Sequence, residues 1–258
     1  MALPPTNPEA QGTTVKTTLV LLKRELNGYF ATPVAYVFIF FYLIAMSLLP
    51  FYLGGFYERE QADLQPFFAF HPWLYLFLIP AISMRLWAEE RKSGTIELLM
   101  TLPVSMAQTV LGKFLAAWMF AGIALVLTFP IWLTVNYLGQ PDNGVIAASY
   151  IGSFLLAGGY LAVGSFLSAL TKNQVIAFVL TFVVGLVLVL AGTPAVLEPL
   201  AGAVPSSVLD AVRSFSFLSQ MNTITSGVID VRALTFFGSL IGGSLLANAI
   251  VLDLKKAD

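Results

Sequence analysis

The sequence predicts an all-α polytopic membrane protein: six transmembrane helices, an N-terminal amphipathic surface helix, and both termini in the cytoplasm. Three observations carry that prediction. Hydrophobic residues make up 58% of the 258 residues against 10% charged, and mean hydropathy is +0.84. Apolar runs recur, several of them long enough to supply the ~20 residues that cross a ~30 Å hydrocarbon core. The 13 Lys and Arg residues divide ten to three between alternate connections, which is the asymmetry that orients membrane helices.

Residues 1–13 are polar and carry Pro4, Pro5 and Pro8. A flexible tail is expected there, without the basic start and apolar centre of a signal peptide. Over 14–30, Val15, Leu19, Leu22, Leu26 and Phe30 recur at helical spacing, and Lys16, Lys23, Arg24 and Glu25 lie mostly off that face. This reads as an amphipathic helix lying along the membrane surface. The alternative is a solvated start of the first membrane helix, but Asn27-Gly28 and Thr32-Pro33 supply breaks before the next run.

The membrane domain, 31–258, is read as spans at about 33–53, 66–84, 110–137, 145–170, 175–191 and 234–251. Pro72 and Pro80 bend the second span and Pro130 lies inside the third; in a membrane, neighbouring helices can satisfy such bends. Lys172 is the one charge between Val145 and Leu197. A Lys at mid-bilayer costs ~2.5–3.5 kcal/mol on insertion scales, so 171–174 reads as a tight turn between the fourth and fifth spans. Residues 193–226 are too polar to span and too apolar to be a free linker. With the N-terminus inside, Lys16, Lys23, Arg24, Arg85, Arg91, Lys92, Lys113, Lys172, Lys255 and Lys256 are cytoplasmic, against Arg59, Arg213 and Arg232 outside. Trp73, Trp87 and Trp132 are expected at the membrane interfaces.

Several functions are disfavoured. No P-loop motif occurs, so ATP is not bound here through one. The single histidine, His71, is too few ligands for a metal site, and the absence of cysteine removes thiolate chemistry. No basic patch alternates with aromatics, so no nucleic-acid partner is expected. Gly164-Ser165 and Gly238-Ser239 could supply a nucleophile for an intramembrane hydrolase, but small residues at helix contacts explain them better. Gly158 and Ala162 on the fourth span, and Gly238 and Gly242 on the sixth, permit close helix packing, within one subunit or across a dimer. The spans are almost free of ionisable groups, unlike ion-coupled transporters. Uncharged spans lean towards an amphiphilic or lipid-linked cargo, moved by energy from outside the chain.

The one dense charge cluster is Glu89-Glu90-Arg91-Lys92, followed by Ser93-Gly94-Thr95-Ile96-Glu97-Leu98-Leu99-Met100 and then Pro103. Gly94 should break the chain after a charged turn, Thr95 can cap a short helix, and Glu97 suits its positive end. That helix, about 94–102, is apolar nearly all round and needs a partner. It could lie among lipid headgroups or fill a groove on a cytoplasmic protein, with the charged residues as a polar rim.

The run from Glu90 to Leu99, with Pro103-Val104-Ser105 and Leu111-Gly112-Lys113-Phe114, resembles the coupling-helix region of type-2 ABC transporter permeases. The order of surface helix and six spans is similar across the whole chain. Ser214-Phe215-Ser216-Phe217-Leu218-Ser219, with Gly227 to Arg232, resembles the gliding-motility-associated, GldF-like branch of that family. The resemblance implies a permease of the bacterial inner membrane that pairs with a second permease subunit. It implies no catalysis in this chain: ATP and Mg belong to a separate cytoplasmic ABC ATPase. The surface helix (Lys16, Leu19, Leu22, Lys23, Arg24, Leu26) and the coupling helix would touch that ATPase. The segment 193–226 would dip back as an external gate, with Val208, Val212, Phe215 and Phe217. An extracytoplasmic auxiliary subunit is associated with the GldF-like branch. The rival expectation is a membrane scaffold or mechanotransmitter that drives such a subunit and transports no solute.

Overall fold

The computed structural model describes residues 8–100, 104–201, 204–228 and 230–255, and among them all regular structure is helical. The chain opens with α1 (Pro8–Phe30) and α2 (Pro33–Tyr52), then the short α3 (Gln65–Ala69), α4 (His71–Ser83), α5 (Arg85–Ser93) and α6 (Thr95–Met100). The centre is α7 (Met106–Val126), α8 (Phe129–Leu138), α9 (Asn143–Leu170) and α10 (Gln174–Leu190). It closes with α11 (Pro194–Leu200), α12 (Ser206–Ser214), α13 (Phe217–Thr225) and α14 (Val231–Leu254).

Local chemistry sets most helix starts. The first turn of a helix leaves N–H groups without intrahelical acceptors. Asp142 accepts from Gly144 and Val145, Asn173 from Val175, and Asp230 from Arg232. Ser105 and Gln108 form a reciprocal capping box that starts α7. Proline sets a major break: Pro130 cannot donate and its ring crowds the preceding turn, so α7 ends at Val126 and α8 restarts at Phe129. The Thr128 hydroxyl donates to Leu125 O at 2.6 Å in that break.

Four stretches are long and apolar enough to cross a membrane: Pro33–Tyr52, Met106–Leu138, Asn143–Leu170 and Val231–Leu254. A fifth arises if α10 and α11 count together, although they bend by 66°. The expected second span is broken into pieces at Phe70 and Met84. Its longest piece, α4, has 13 residues, about 20 Å at 1.5 Å per residue, short of a ~30 Å core. Two further expectations are corrected. The helix of α1 begins at Pro8, inside the segment read as a tail; Pro suits a first helical turn. The charged "turn" before Gly94 is the helix α5.

The hub is α9, which packs on α4, α5, α7, α10, α13 and α14. Its small residues make this close approach geometrically open. A Cβ on Gly158 would stand 2.8 Å from the Trp118 ring, which stacks on Phe154, and Ala162 is fully buried. The matching expectation for α14 differs. A Cβ on Gly238 or Gly242 meets nothing within 4 Å, because α14 meets the bundle through its other face, Ala233, Phe237, Leu245, Asn248 and Leu252. Trp87 is fully buried within the bundle.

Candidate functional site

The charged cluster sits on α5, which is bonded into the bundle by polar groups of α9 and α7, themselves tied to α14 and α1. The first-turn N–H groups of Trp87 and Ala88 donate to Ser168 Oγ of α9 at 3.2 and 3.1 Å, and Ser168 donates to Met84 O at 3.0 Å. A serine on another helix thus does the work of an N-cap. Trp87 Nε1 donates to Ser165 Oγ at 3.1 Å, as does Asn248 Nδ2 of α14 at 2.7 Å. Ser165, weighed above as a nucleophile, is therefore committed to holding α5 and α14 against α9.

Beside Trp87 lies Lys113 of α7, 5% exposed. Its Nζ is 2.6 Å from Glu90 of α5 and 3.0 Å from Glu25 of α1, and 5.6 Å from the centre of the Trp87 ring. Arg24 adds a pair to Glu25 at 2.7 Å. A buried ammonium is tolerated only when partners offset its lost hydration, and here two carboxylates do so. Burial alone would raise the Glu25 pKa, but Lys113 and Arg24 outweigh it and hold it below 4.5. One residue earlier, Gly112 leaves room for α1 to lie close: a Cβ there would stand 2.9 Å from Leu21 Cβ. Gly112-Lys113 is thus a single seat for α1, by clearance and by charge.

The far end of α5 is tied as well. Arg91 Nη1 donates to Ala169 O at 2.7 Å, at the C-terminus of α9, whose carbonyls favour cations. The chain then turns at Gly94, whose φ of +74° lies in the left-handed region where glycine carries no penalty. Ser93 Oγ bonds back to Glu89 O at 2.9 Å and meets Thr95 Oγ1 at 2.9 Å.

The expected coupling residues divide accordingly. Glu89, Thr95 and Glu97 are exposed, Glu90 and Arg91 have partners inside the chain, and Ile96 packs half-buried against the core. The side chains of Leu98, Leu99 and Met100, and all of Pro103, lie outside the described residues. On α1, Lys16, Leu19, Lys23 and Arg24 are exposed and Leu22 and Leu26 half-buried. The face turned to α7 carries Leu21, Glu25 and Tyr29, and Phe30 of the expected stripe also meets Phe120 of α7, whereas Leu19 is exposed. Sequence reasoning gave no site role to Glu25, Trp87 or Ser168, weighed Ser165 only as a nucleophile, and named Lys113 only within the stretch that resembles the coupling region. Lys113 carried a usable signal: it is the lone charge between Glu97 and Asp142.

At the other end of the helices the structure is open. No residue of α11 or α12 is buried. A groove of about 1480 Å³ lies among α11, α12, α13 and the start of α14, with Asp210, Arg213, Asp230 and Arg232 on its walls. The four residues expected as a gate differ in burial. Val208 and Phe215 are exposed and Val212 half-buried, whereas Phe217 is fully buried, 4.5 Å from the Tyr160 ring. Phe217 is a core wedge that anchors α13. His71 is also fully buried, bonded to Tyr42 Oη at 3.3 Å and Phe67 O at 3.2 Å.

The fold and this junction describe an integral, multi-pass membrane protein whose short charged helix is braced from within. The chain belongs to the family described as ABC-2 family transporter protein, which matches residues 60–252. Members of that family are membrane permease components of ABC transporters, a role that is not itself catalytic. It is 31% identical over 135 residues to Heme exporter protein B of Rhodobacter capsulatus. That match covers 48% of this chain and 58% of the relative's length.

Proposed function

We propose that this chain is the permease subunit of an ATP-driven exporter, in which α5 and α6 take the stroke of a separate cytoplasmic ATPase. The Lys113 junction carries the reading. One buried cation joins the helix bearing the charged cluster, the N-terminal helix and the bundle, so a push on α6 reaches α1, α7 and α9 together. In this reading six segments cross the bacterial inner membrane, the broken stretch 65–93 being the second, and both termini are cytoplasmic. The ten-to-three division of Lys and Arg supports that orientation. A second permease subunit completes the membrane part, and ATP and Mg belong to the ATPase.

The relative's name makes heme the first substrate to try. The groove carries Arg213 and Arg232 alongside Asp210 and Asp230, and its two arginines offer partners to the carboxylates of an amphiphile. The α12 segment, with Val208, Val212 and Phe215, is the external gate of this reading. The short resemblance of Ser214 to Ser219 to the GldF-like branch keeps a second reading: a scaffold that drives an extracytoplasmic auxiliary subunit. The unpacked α11 and α12 and their open groove favour it, because they leave a surface for such a subunit.

Co-expression with the cognate ATPase tests the proposal. Wild type should co-purify the ATPase in detergent, and Leu99→Asp should insert in the membrane yet lose the ATPase. Unchanged capture by that variant would remove the coupling role of α6. ATP-dependent substrate accumulation in reconstituted vesicles separates the exporter from the scaffold.

A further inference from the structure

Three cations gather where α9 ends, at the same end of the bundle as α5 and α6. Arg91 and Lys255 both donate to one oxygen, Ala169 O, at 2.7 and 3.2 Å, and Lys255 also reaches Leu170 O at 3.1 Å. Lys172 follows in the α9–α10 turn. Burial, and then the Arg91 and Lys172 charges, depress the Lys255 pKa below 10.5. No described carboxylate pairs with any of the three within 4 Å. The carbonyl end of α9 supplies roughly half a negative charge, leaving about two and a half positive charges unmatched. Around the cluster, Leu170, Val175, Ile176, Ile250 and Leu254 are all exposed apolar side chains.

We propose that Arg91, Lys172 and Lys255 seat the phosphate of an anionic phospholipid in the leaflet at this end of the bundle. The acyl chains lie on the apolar faces of α10 and α14. The combination selects a lipid over a soluble anion or an acidic protein surface. The charge calls for an anion, and the apolar side chains directly beside it call for hydrocarbon. Basic pockets between membrane helices recognise lipid headgroups in this way. The bound lipid would brace the outer side of the joint that Arg91 makes between α5 and α9.

Native mass spectrometry of the full chain in detergent, with phosphatidylglycerol or phosphatidylcholine added, tests this. Wild type should retain phosphatidylglycerol preferentially. Lys172→Gln and Lys255→Gln should each lower that retention about fivefold, with phosphatidylcholine unchanged. Lys172 is exposed and caps no helix end, so its variant leaves the fold intact. Equal retention of the two lipids by wild type, or unaltered retention in both variants, overturns the proposal. So does displacement of phosphatidylglycerol by an equal concentration of inorganic phosphate, which would mark a plain anion site. Loss of ATPase capture with lipid retention intact would assign the cluster to a protein partner and also overturn it.

Discussion

The two ends of this molecule are built on opposite terms. At the α5–α6 end, a short charged helix is bonded at its start to Ser168, in its middle to Lys113 and at its end to Ala169 O. At the other end, α11 and α12 bury nothing and border an open groove. A bonded, buried segment moves only with its neighbours, whereas a segment with few packed contacts opens at low free energy. Under the proposed function, the first end would transmit force and the second would rearrange.

Substitutions at either end test this difference. Lys113→Met strands Glu90 and leaves Glu25 with Arg24 alone, and should cost about 3–5 kcal/mol, read as a lower melting temperature in detergent and faster amide exchange in α1. A loss of about 1 kcal/mol or less, as for an exposed pair, would dissolve the junction. Phe217→Ala should cost a comparable 3–5 kcal/mol or so, because it empties the core beside Tyr160. Ser168→Ala leaves the Trp87 and Ala88 N–H groups without an acceptor, costing about 1–3 kcal/mol and loosening the first turn of α5 in hydrogen exchange.

The pH response is smaller. The Glu25 pKa is lower folded than unfolded, so its contribution is fully present above about pH 4.5 and is lost as pH falls through the native value. Melting curves on both sides of that pH should converge for wild type and Glu25→Gln at the acid side. The smallest effect belongs to Phe215→Ala. Two residues from Phe217 but 61% exposed, it should change stability by less than about 0.5 kcal/mol. Any larger loss would mean that α12 is packed against something in the membrane.

Much of the fold was legible because lipid is an unforgiving solvent: backbone polar groups must be satisfied within the chain, so long apolar runs become helices. The ends of α2, α9 and α10 fall within a residue or two of the positions read from hydropathy, where Pro33, Asp142 and Asn173 mark the starts. The break of the second span into α3, α4 and α5 was only half legible. Pro72 and Pro80 announced bends, but the hydrogen bonds that let α5 restart come from Ser168, about 80 residues away in sequence. The seat of α1 was only partly legible: Phe30 of the expected stripe meets Phe120 of α7, but Leu21 and Glu25, off that stripe, complete the contact. Gly238 and Gly242 looked like packing residues, as Gly158 is, yet nothing local says which side of a helix its own chain will cover.

By itself, then, the sequence determined the solvent, the helical class and the uneven distribution of cations. It also displayed Lys113 as a lone charge in an apolar run. The partners of that charge emerge only from helix packing. Its two carboxylates lie on helices distant in sequence, Glu25 being 88 residues away. Pairing across such a separation is a property of how helices pack, which periodicity along one helix does not encode.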